Sequence, residues 1–302
     1  MVGFTSMLAQ QLVNGFAMGA VYALFALGFN LIFGVHGILN LAYGAVLMVG
    51  AFAGLVTVLG GYPIWLAFLV AAIAAGLLSV VIDLVAFRPL RRSTEIEFAA
   101  IISSIGIDMV LVTLAQRLSS TQVLRFPPGT VPDGVFTILG LRVTALQITF
   151  VAAVVITALA LALYLYGTSF GRQVRAVAES ERAAALLGVS ANAVYLQTFF
   201  ISGALAGITG VLLGLAFNTV HFLMGEPYLL RGFVVLILGG LGSLKGALAA
   251  GLLLGLLQAL ATAYLPAGLS DPVIYGLLFV IILLKPSGMF GTAVKDMRAV
   301  RR

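Results

Sequence analysis

The sequence has 302 residues, of which 62% are hydrophobic and 9% are charged, and its formal net charge is +6. A soluble domain carries about 25% charged residues, and no soluble core can bury this much apolar surface. We therefore predict an all-α polytopic bundle of transmembrane helices in a lipid bilayer. The absence of cysteine excludes disulfides, thiolate metal sites and thiol catalysis. The two histidines, His36 and His221, lie too far apart to predict a metal site, and His36 is expected at the surface.

Apolar stretches long enough to cross a bilayer, which takes about 20 residues, follow one another along the chain. They predict about eight membrane-spanning helices in a single transmembrane domain that covers residues 1–302. The predicted spans are 10–33, 41–59, 64–87, 98–118, 143–166, 193–217, 247–264 and 272–284. The apolar stretch 229–241 is short for a full crossing, so a crossing, a re-entrant helix and a broken helix all stay open.

The cations lie in clusters at the ends of predicted spans, a pattern that places basic loops in the cytoplasm. It predicts an external amino terminus, a cytoplasmic carboxyl terminus and no nucleic-acid partner. The proline- and glycine-rich segment 119–142 is then an ordered periplasmic loop. The basic clusters are Arg88, Arg91 and Arg92; Arg172, Arg175 and Arg182; and Lys285, Lys295, Arg298, Arg301 and Arg302.

Residues 167–192 form the longest polar segment with a helical pattern. Gly171 is expected to break the chain before this helix, and Gly188 is expected to cap its C-terminus in a left-handed conformation. The segment is either a cytoplasmic loop on the membrane surface or a docking helix for a soluble partner. Its polar side is predicted to carry Arg172, Arg175, Glu179, Glu181 and Arg182. Its apolar side is predicted to carry Val174, Val177, Ala178, Ala184, Ala185 and Leu187.

A glycine-rich run at 239–247, GGLGSLKGA, resembles a phosphate loop only superficially. The nucleotide-binding pattern requires Gly-Lys-Ser/Thr, whereas Lys245 follows Leu244 and precedes Gly246. We therefore predict no nucleotide or other cofactor in this chain, and any ATPase must be a separate subunit. Glycines four residues apart let helices approach closely in lipid, which favours a structural role for Gly239, Gly240, Gly242 and Gly246.

Ionisable residues are rare within the predicted spans. Asp83 lies about one turn from Arg88 and the inner surface, so either an ion pair with Arg88 or snorkelling to the surface is expected there. Asp108 lies deeper, where a charge costs about 2.5–3.5 kcal/mol, and it serves either a structural hydrogen bond or a solute pathway. In a carrier that works alone, coupled to protons or ions, Asp108 would be the titrating group. The other residues with the same two alternatives, interhelical hydrogen bonding or pathway, are Asn14, Asn30, Asn40, Ser103 and Ser104.

Several blocks of the sequence resemble, in the same order, the branched-chain amino acid ABC importer permeases of the LivH type. They are residues 10–51, which begin QQLVNGFAMG, then FRPLRRSTEIEFAAIISSIGIDMVL, LYGTSFGRQVRAVAESERAAALLGVS, LGGLGSLKGALAAGLLLG and KPSGMFG. The resemblance covers nearly the whole chain. One departure is Tyr43, where the family commonly has histidine before the glycine. It either alters the substrate preference, which makes Tyr43 a candidate pathway residue, or has no consequence.

The resemblance implies a permease subunit of the bacterial inner membrane that moves branched-chain amino acids, or a related small solute, by alternating access. It implies no enzymatic activity in this chain. The implied partners are a second, LivM-like permease, two cytoplasmic ATPases that bind ATP and Mg²⁺, and a periplasmic substrate-binding protein. Segment 167–192 would be the coupling helix that docks on the ATPase, because Glu181, Ala183, Ala184 and Gly188 resemble an EAA-x-x-x-G loop.

Overall fold

Long helices joined by short connections make up most of the protein, in a computed structural model that describes residues 2–91, 96–131, 134–138, 140–266, 268–284 and 288. Among these residues, six helices are long and apolar enough to cross a membrane, which confirms a polytopic helical membrane protein. The helices are α1 (Val2–His36), α2 (Tyr43–Leu59), α3 (Ile64–Ile82), α4 (Arg88–Leu90), α5 (Ile96–Leu118), α6 (Ala145–Gly167), α7 (Ser169–Glu179), α8 (Glu181–Leu186), α9 (Ala191–Phe217), α10 (Glu226–Gly239), α11 (Leu244–Tyr264) and α12 (Ser270–Leu284).

The helices follow the predicted spans with a few differences in length. Helix α1 continues to His36, so the break expected from residue 34 begins only after that residue. A π-helical turn, Asp83–Phe87, joins α3 to α4 without interruption. The 229–241 stretch is the 14-residue helix α10. Arg92 and the predicted carboxyl-terminal basic cluster (Lys285, Lys295, Arg298, Arg301 and Arg302) lie outside the described residues.

Helix α1 is the central helix of the bundle. In its most apolar stretch 83% of the residues are buried, against 11% for α5 at the periphery. Helix α11 lies antiparallel to α1, with Gly255 against Gly19 and Gly251 against the backbone of Ala23. Because lipid supplies no hydrophobic force between helices, such close backbone approach is a main source of attraction. The glycine spacing therefore marks a real packing seam, as the sequence predicts.

Helix α9 forms a second seam with α2 and α3. Gly207 lies between the backbone of Gly50 in α2 and that of Ala71 in α3, and Gly203 lies against Ala75. One turn further along, Gly210 lies against the carbonyl of Leu47. Helices α1 and α9 thus hold the other buried helices between them, and α5 and much of α6 remain at the outside of the single chain.

Helix α2 begins inside the bundle rather than at one of its ends. After His36, residues 37–42 turn back along α1, so that the Tyr43 ring lies 4.8 Å from Phe25 and 5.4 Å from Phe29 between centroids. Irregular backbone at membrane depth is tolerated only where protein buries it. Asn40 helps to satisfy this segment, because its side-chain oxygen accepts the Ala42 N–H at 3.1 Å.

Helix α10 also begins inside the bundle. The loop 218–225 descends from the end of α9 until the backbone of Gly225 packs against that of Gly44 at the start of α2. From there α10 runs beside the second half of α1, with Arg231 near the hydroxyl of Tyr22 and Gly232 against Phe25. Two interrupted segments thus meet in the middle of the molecule.

A short β-hairpin qualifies the all-α prediction. Strands β1 (Val135–Ile138) and β2 (Leu141–Thr144) pair antiparallel within and just beyond the predicted loop 119–142. The side chain of Gln10 ties the hairpin to α1 through two hydrogen bonds to the Arg142 backbone, at 2.8 and 2.9 Å. These bonds place the start of α1 and the hairpin at the same end of the bundle.

Substitution of Gly255 by alanine tests the central seam. An added Cβ meets the backbone of Gly15 and Gly19, which cannot rotate away, and overpacking of this kind costs about 1–3 kcal/mol. We expect a lower melting temperature for the detergent-solubilised Gly255→Ala protein. Gly106→Ala in α5 is the matched control, because no other atom lies within 4 Å of its added Cβ. Equal melting temperatures for the two variants would contradict the packing role.

Candidate functional site

The predicted coupling segment folds as two helices, α7 and α8, not as one. Ser180 adopts an extended conformation and ends α7, and its hydroxyl then accepts the Ala183 N–H at 3.3 Å to start α8. Serine does this well because its short side chain replaces a missing backbone partner. The predicted C-terminal cap is present, with Gly188 at φ +82°.

The predicted break at Gly171 is wrong. The turn lies earlier, at Thr168, whose hydroxyl accepts the Gly171 N–H at 3.0 Å and caps α7. Gly171 itself is buried within α7 and packs on the carbonyls of Tyr164 and Leu165 at the end of α6. Its missing side chain lets α7 lie directly against α6, so this glycine positions the segment instead of interrupting it.

One face of the segment is held against the bundle and the other is free. Gly171, Val174 and Val177 of α7 and Ala184 of α8 are buried. The apolar side is narrower than the sequence predicts, since Ala178, Ala185 and Leu187 are exposed. The exposed side chains of the predicted polar set are Arg172, Arg175, Glu179, Glu181 and Arg182.

Two exposed leucines extend this free face. Leu186 is 85% exposed and Leu187 is 82% exposed, directly before Gly188. The sequence pattern assigned Leu187 to the packed side and left Leu186 without a role. An apolar pair next to arginines is typical of a surface that a protein partner covers. The segment therefore presents the composition of a docking surface.

Arg175 is bound to the helix bundle, unlike the other two arginines of the segment. Its guanidinium donates to the Leu165 carbonyl at the end of α6, and it lies 5.1 Å from the centroid of the Tyr166 ring. This side chain therefore ties α7 to α6, while Arg172 and Arg182 project without a hydrogen bond among the described contacts. The predicted set of coupling residues thus divides into one anchoring arginine and two free ones.

The glycine motif lies beside the segment at the same end of the bundle. Asn30, fully buried in α1, accepts the Gly242 N–H at 2.7 Å and donates to the Ser243 carbonyl at 2.8 Å. Gly239 and Gly246 pack backbone to backbone, while Gly240 and Gly242 turn the chain with φ of +95° and +80°. The motif is a tight connection between α10 and α11.

A cavity of about 280 Å³ separates the glycine motif from α7. Asn30, Tyr166, Arg175, Gly242 and Lys245 are among the residues that line it. Lys245 and Arg175 therefore lie on one cleft, which brings the lysine of the glycine motif and one of the predicted basic clusters to the same end of the molecule. Within the described part of the chain, no group of three histidine, aspartate, glutamate or cysteine side chains is placed to hold a metal ion.

The structure does not bring the other candidate pathway residues together. Asn14 accepts a hydrogen bond from Gln147 of α6 at 2.8 Å, near the hairpin end. Tyr43 is fully buried, and its hydroxyl donates to the Ser202 carbonyl at 2.9 Å. Asn40 holds the start of α2, as described above. Their part in a pathway stays a prediction, but each of these side chains has a structural hydrogen bond.

Helix α5 carries the remaining candidates. Ser104 is buried and donates to the Ile101 carbonyl at 2.8 Å, while Ser103 is half-buried. The half-buried carboxylate of Asp108 lies next to the backbone amide of Ala45, and the charge of Glu226 is close enough to act on it. Asp108 thus faces the interior point at which α2 and α10 begin.

The fold and this exposed segment define a polytopic helical membrane protein of the permease class. The chain belongs to the family described as the permease component of branched-chain amino acid transport systems, which matches residues 11–283. It is 31% identical to the high-affinity branched-chain amino acid transport system permease protein BraD of Pseudomonas aeruginosa, and 32% identical to LivH of Salmonella typhimurium. Each alignment covers 93% of this chain and 95% of the relative.

A solved structure also aligns with this chain over most of its length. It is described as PsaBC from Streptococcus pneumoniae in complex with Fab. The alignment covers 92% of each chain, with 13% identity and a TM-score of 0.49. The family assignment rests on the sequence relatives alone. It confirms the predicted resemblance, and it identifies the chain as a membrane permease subunit and not an enzyme.

Substitution of Asn30 by alanine tests the link between α1 and the glycine motif. It leaves the Gly242 N–H and the Ser243 carbonyl without their partner, at about 1–3 kcal/mol for each buried polar group. We expect a lower melting temperature and faster cleavage by trypsin after Lys245, which follows the released turn. Asn14→Ala is the matched control, since it removes the same side chain at the opposite end of α1. Unchanged cleavage in Asn30→Ala would contradict the link.

Proposed function

We propose that this chain is one permease subunit of an ATP-driven importer that moves branched-chain amino acids, or a closely related small solute, across the bacterial inner membrane. Its partners in this proposal are a second, LivM-like permease, two cytoplasmic ATPases that bind ATP and Mg²⁺, and a periplasmic substrate-binding protein. The observation that carries the proposal is the α7–α8 segment, together with membership of a permease family. Transport proceeds by alternating access between the two permeases.

The exposed face of α7–α8 supports docking of an ATPase. The segment has a rigid attachment, because Gly171 and Arg175 hold it to α6 and Val174 and Val177 are buried. Its free face offers arginines and two exposed leucines. A partner that binds this face differently in its open and closed states shifts the equilibrium between two arrangements of the bundle.

We place the amino terminus and the hairpin outside the membrane and α7–α8 in the cytoplasm. The support is the charge rule and the position of Arg91, Arg175 and Lys245 at the end opposite the hairpin. Termini on opposite faces require an odd number of passes, which the predicted total of eight does not provide. We propose nine passes, in which α10 is added to the eight predicted spans. In this topology α2 completes one pass together with residues 37–42, and α10 completes another together with the loop 218–225.

We propose that the second permease covers α5. This helix is the most exposed of the six candidate spans, yet it carries Ser103, Asp108 and the unpacked Gly106. Polar and small residues on an outer helix favour contact with another protein over contact with lipid. The solute pathway then runs along α5 between the two permeases.

The competing function is a carrier that works without an ATPase and titrates Asp108. The free face of α7–α8 has no role in that mechanism, and the family relatives are named as components of transport systems. Among the described contacts Glu226 is the one titratable group whose charge acts on Asp108, and a single neighbouring carboxylate does not make a chain of proton carriers. We therefore favour ATP-driven transport.

Charge reversal at the two free arginines tests docking. Arg172→Glu combined with Arg182→Glu should lower the recovery of ATPase with the tagged chain by more than about tenfold. This expectation follows because an important interface residue contributes about 2 kcal/mol to the binding free energy. Proteins that co-purify from the native membrane are identified by mass. Arg117→Glu combined with Arg125→Glu is the control, because these exposed arginines lie at the other end of the bundle. Equal recovery contradicts docking, and a wild-type chain without any ATPase contradicts the importer.

Substitution of Asp108 by asparagine separates the two transport mechanisms. The change removes the charge and preserves the shape, so an ATP-driven importer should keep most of its uptake and its response to pH. Uptake of radiolabelled leucine into cells is measured between pH 5 and pH 8. Ser103→Ala on the same helix controls for general damage to α5. Loss of uptake together with loss of pH dependence in Asp108→Asn alone would favour the carrier.

A further inference from the structure

A polar cluster at the inner end of the bundle is centred on Arg91, to which the functions described so far give no role. We call it the Arg91 cluster, and it consists of Arg91, Asp83, Asn192, Tyr195 and Glu181. The Arg91 guanidinium forms an ion pair with Asp83, donates to the Asn192 side-chain oxygen at 2.7 Å, and lies 4.3 Å from the centroid of the Tyr195 ring. This corrects the predicted partner of Asp83, which is Arg91 instead of Arg88.

The cluster joins elements that are far apart in the sequence. Asp83 is the first residue of the π-helical turn that continues α3, and Asn192 and Tyr195 lie in the first two turns of α9. The Glu181 carboxylate of α8 lies next to the Tyr195 hydroxyl. Arg91 therefore connects the inner ends of α3 and α9, and Tyr195 connects the cluster to α8 through Glu181.

His36 extends the cluster to the end of α1, contrary to its expected place at the surface. Its ring lies 4.2 Å from the Tyr195 ring and 4.7 Å from the Phe199 ring between centroids. Phe87 of the π-helical turn packs on Phe199 from the other side, at 5.4 Å. The inner ends of α1, α3 and α9 thus meet around two aromatic residues of α9.

The cluster has hydrogen-bonding capacity that this arrangement does not use. Asp83 is 0% exposed, yet only one of its carboxylate oxygens is bonded, and the buried Ser79 hydroxyl one turn earlier has no partner either. The buried Nε2 atom of His36 is also without a partner. A buried polar network that is only partly satisfied is costly, so a rearrangement that paired these atoms would recover part of that cost. The π-helical turn beside Asp83 is an element that recurs at functional sites.

We propose that Arg91 is a positioning residue of the transport cycle, which links displacement of α8 by the ATPase to movement of the inner ends of α3 and α9. This inference rests on the proposed function. Arginine suits the role because its planar fork binds a carboxylate and an amide at once and also stacks on an aromatic ring. When α8 moves, Glu181 displaces the Tyr195 ring that lies against the Arg91 guanidinium. Arg91 then transfers this displacement to Asp83.

The test compares uptake with ATP hydrolysis in the assembled complex. Arg91→Gln alone leaves the buried Asp83 charge unpaired and is expected to misfold, so the main variant combines Asp83→Asn with Arg91→Gln. The complex is purified through the tagged chain and reconstituted in proteoliposomes with its binding protein, and radiolabelled leucine is the probe. Arg88→Gln is the matched control, an exposed arginine three residues earlier with no hydrogen bond among the described contacts.

We expect the double variant to retain its ATPase subunits, its melting temperature and its ATP hydrolysis, while leucine moved per ATP falls about tenfold, within the range of 5–150-fold typical of coupling between sites. Arg88→Gln should keep the wild-type ratio. An unchanged ratio in the double variant overturns the inference and leaves the proposed function intact. A double variant that fails to assemble or melts far lower also overturns it, since the role is then structural. A wild-type chain that purifies without an ATPase overturns the proposed function as well.

Discussion

The fold depends on close backbone contact between helices that have no hydrophobic reason to associate in lipid. Glycine makes this contact possible at two seams, where α11 lies against α1 and where α9 lies between α2 and α3. At each seam a side chain would force the helices apart, because its neighbours are main-chain atoms and not flexible side chains. Once α1 and α9 are fixed in this way, the places of α2, α3, α10 and α11 follow from their contacts with them.

Polar residues inside this bundle serve mainly to hold interruptions in place. Asn40 caps the returning chain before α2, Tyr43 reaches the Ser202 carbonyl, and Asn30 binds the turn between α10 and α11. Asn40 and Asn30 satisfy backbone groups that an uninterrupted helix would have satisfied by itself, and Tyr43 ties the start of α2 to α9. The interruptions are therefore a designed feature of the bundle, since irregular backbone at this depth persists only with such partners.

The two ends of the molecule differ in a way that suits transport driven from the inside. The hairpin end is held by local contacts such as those of Gln10 with Arg142. The opposite end combines a free docking face on α7–α8, a cleft between α7 and the glycine motif, and the Arg91 cluster. In the mechanism that we propose, movement of a partner at α7–α8 reaches the bundle through Arg175 to α6 and through Tyr195 and Arg91 to α9 and α3. These are two separate mechanical routes from one surface.

The sequence by itself determined the membrane class, most helix positions, the glycine packing seams and the family, because apolar length, four-residue spacing and ordered motifs are local properties of the chain. It did not determine which side chains meet. Asp83 pairs with Arg91 and not with the nearer Arg88, and His36 packs on Tyr195, because the π-helical turn and α9 set those directions. Leu187 is exposed because Ser180 divides the segment and rotates α8 relative to α7. The contacts of Arg91 with Asn192 and of His36 with Tyr195 join residues 100 or more positions apart, and only the tertiary packing of α1, α3 and α9 decides them.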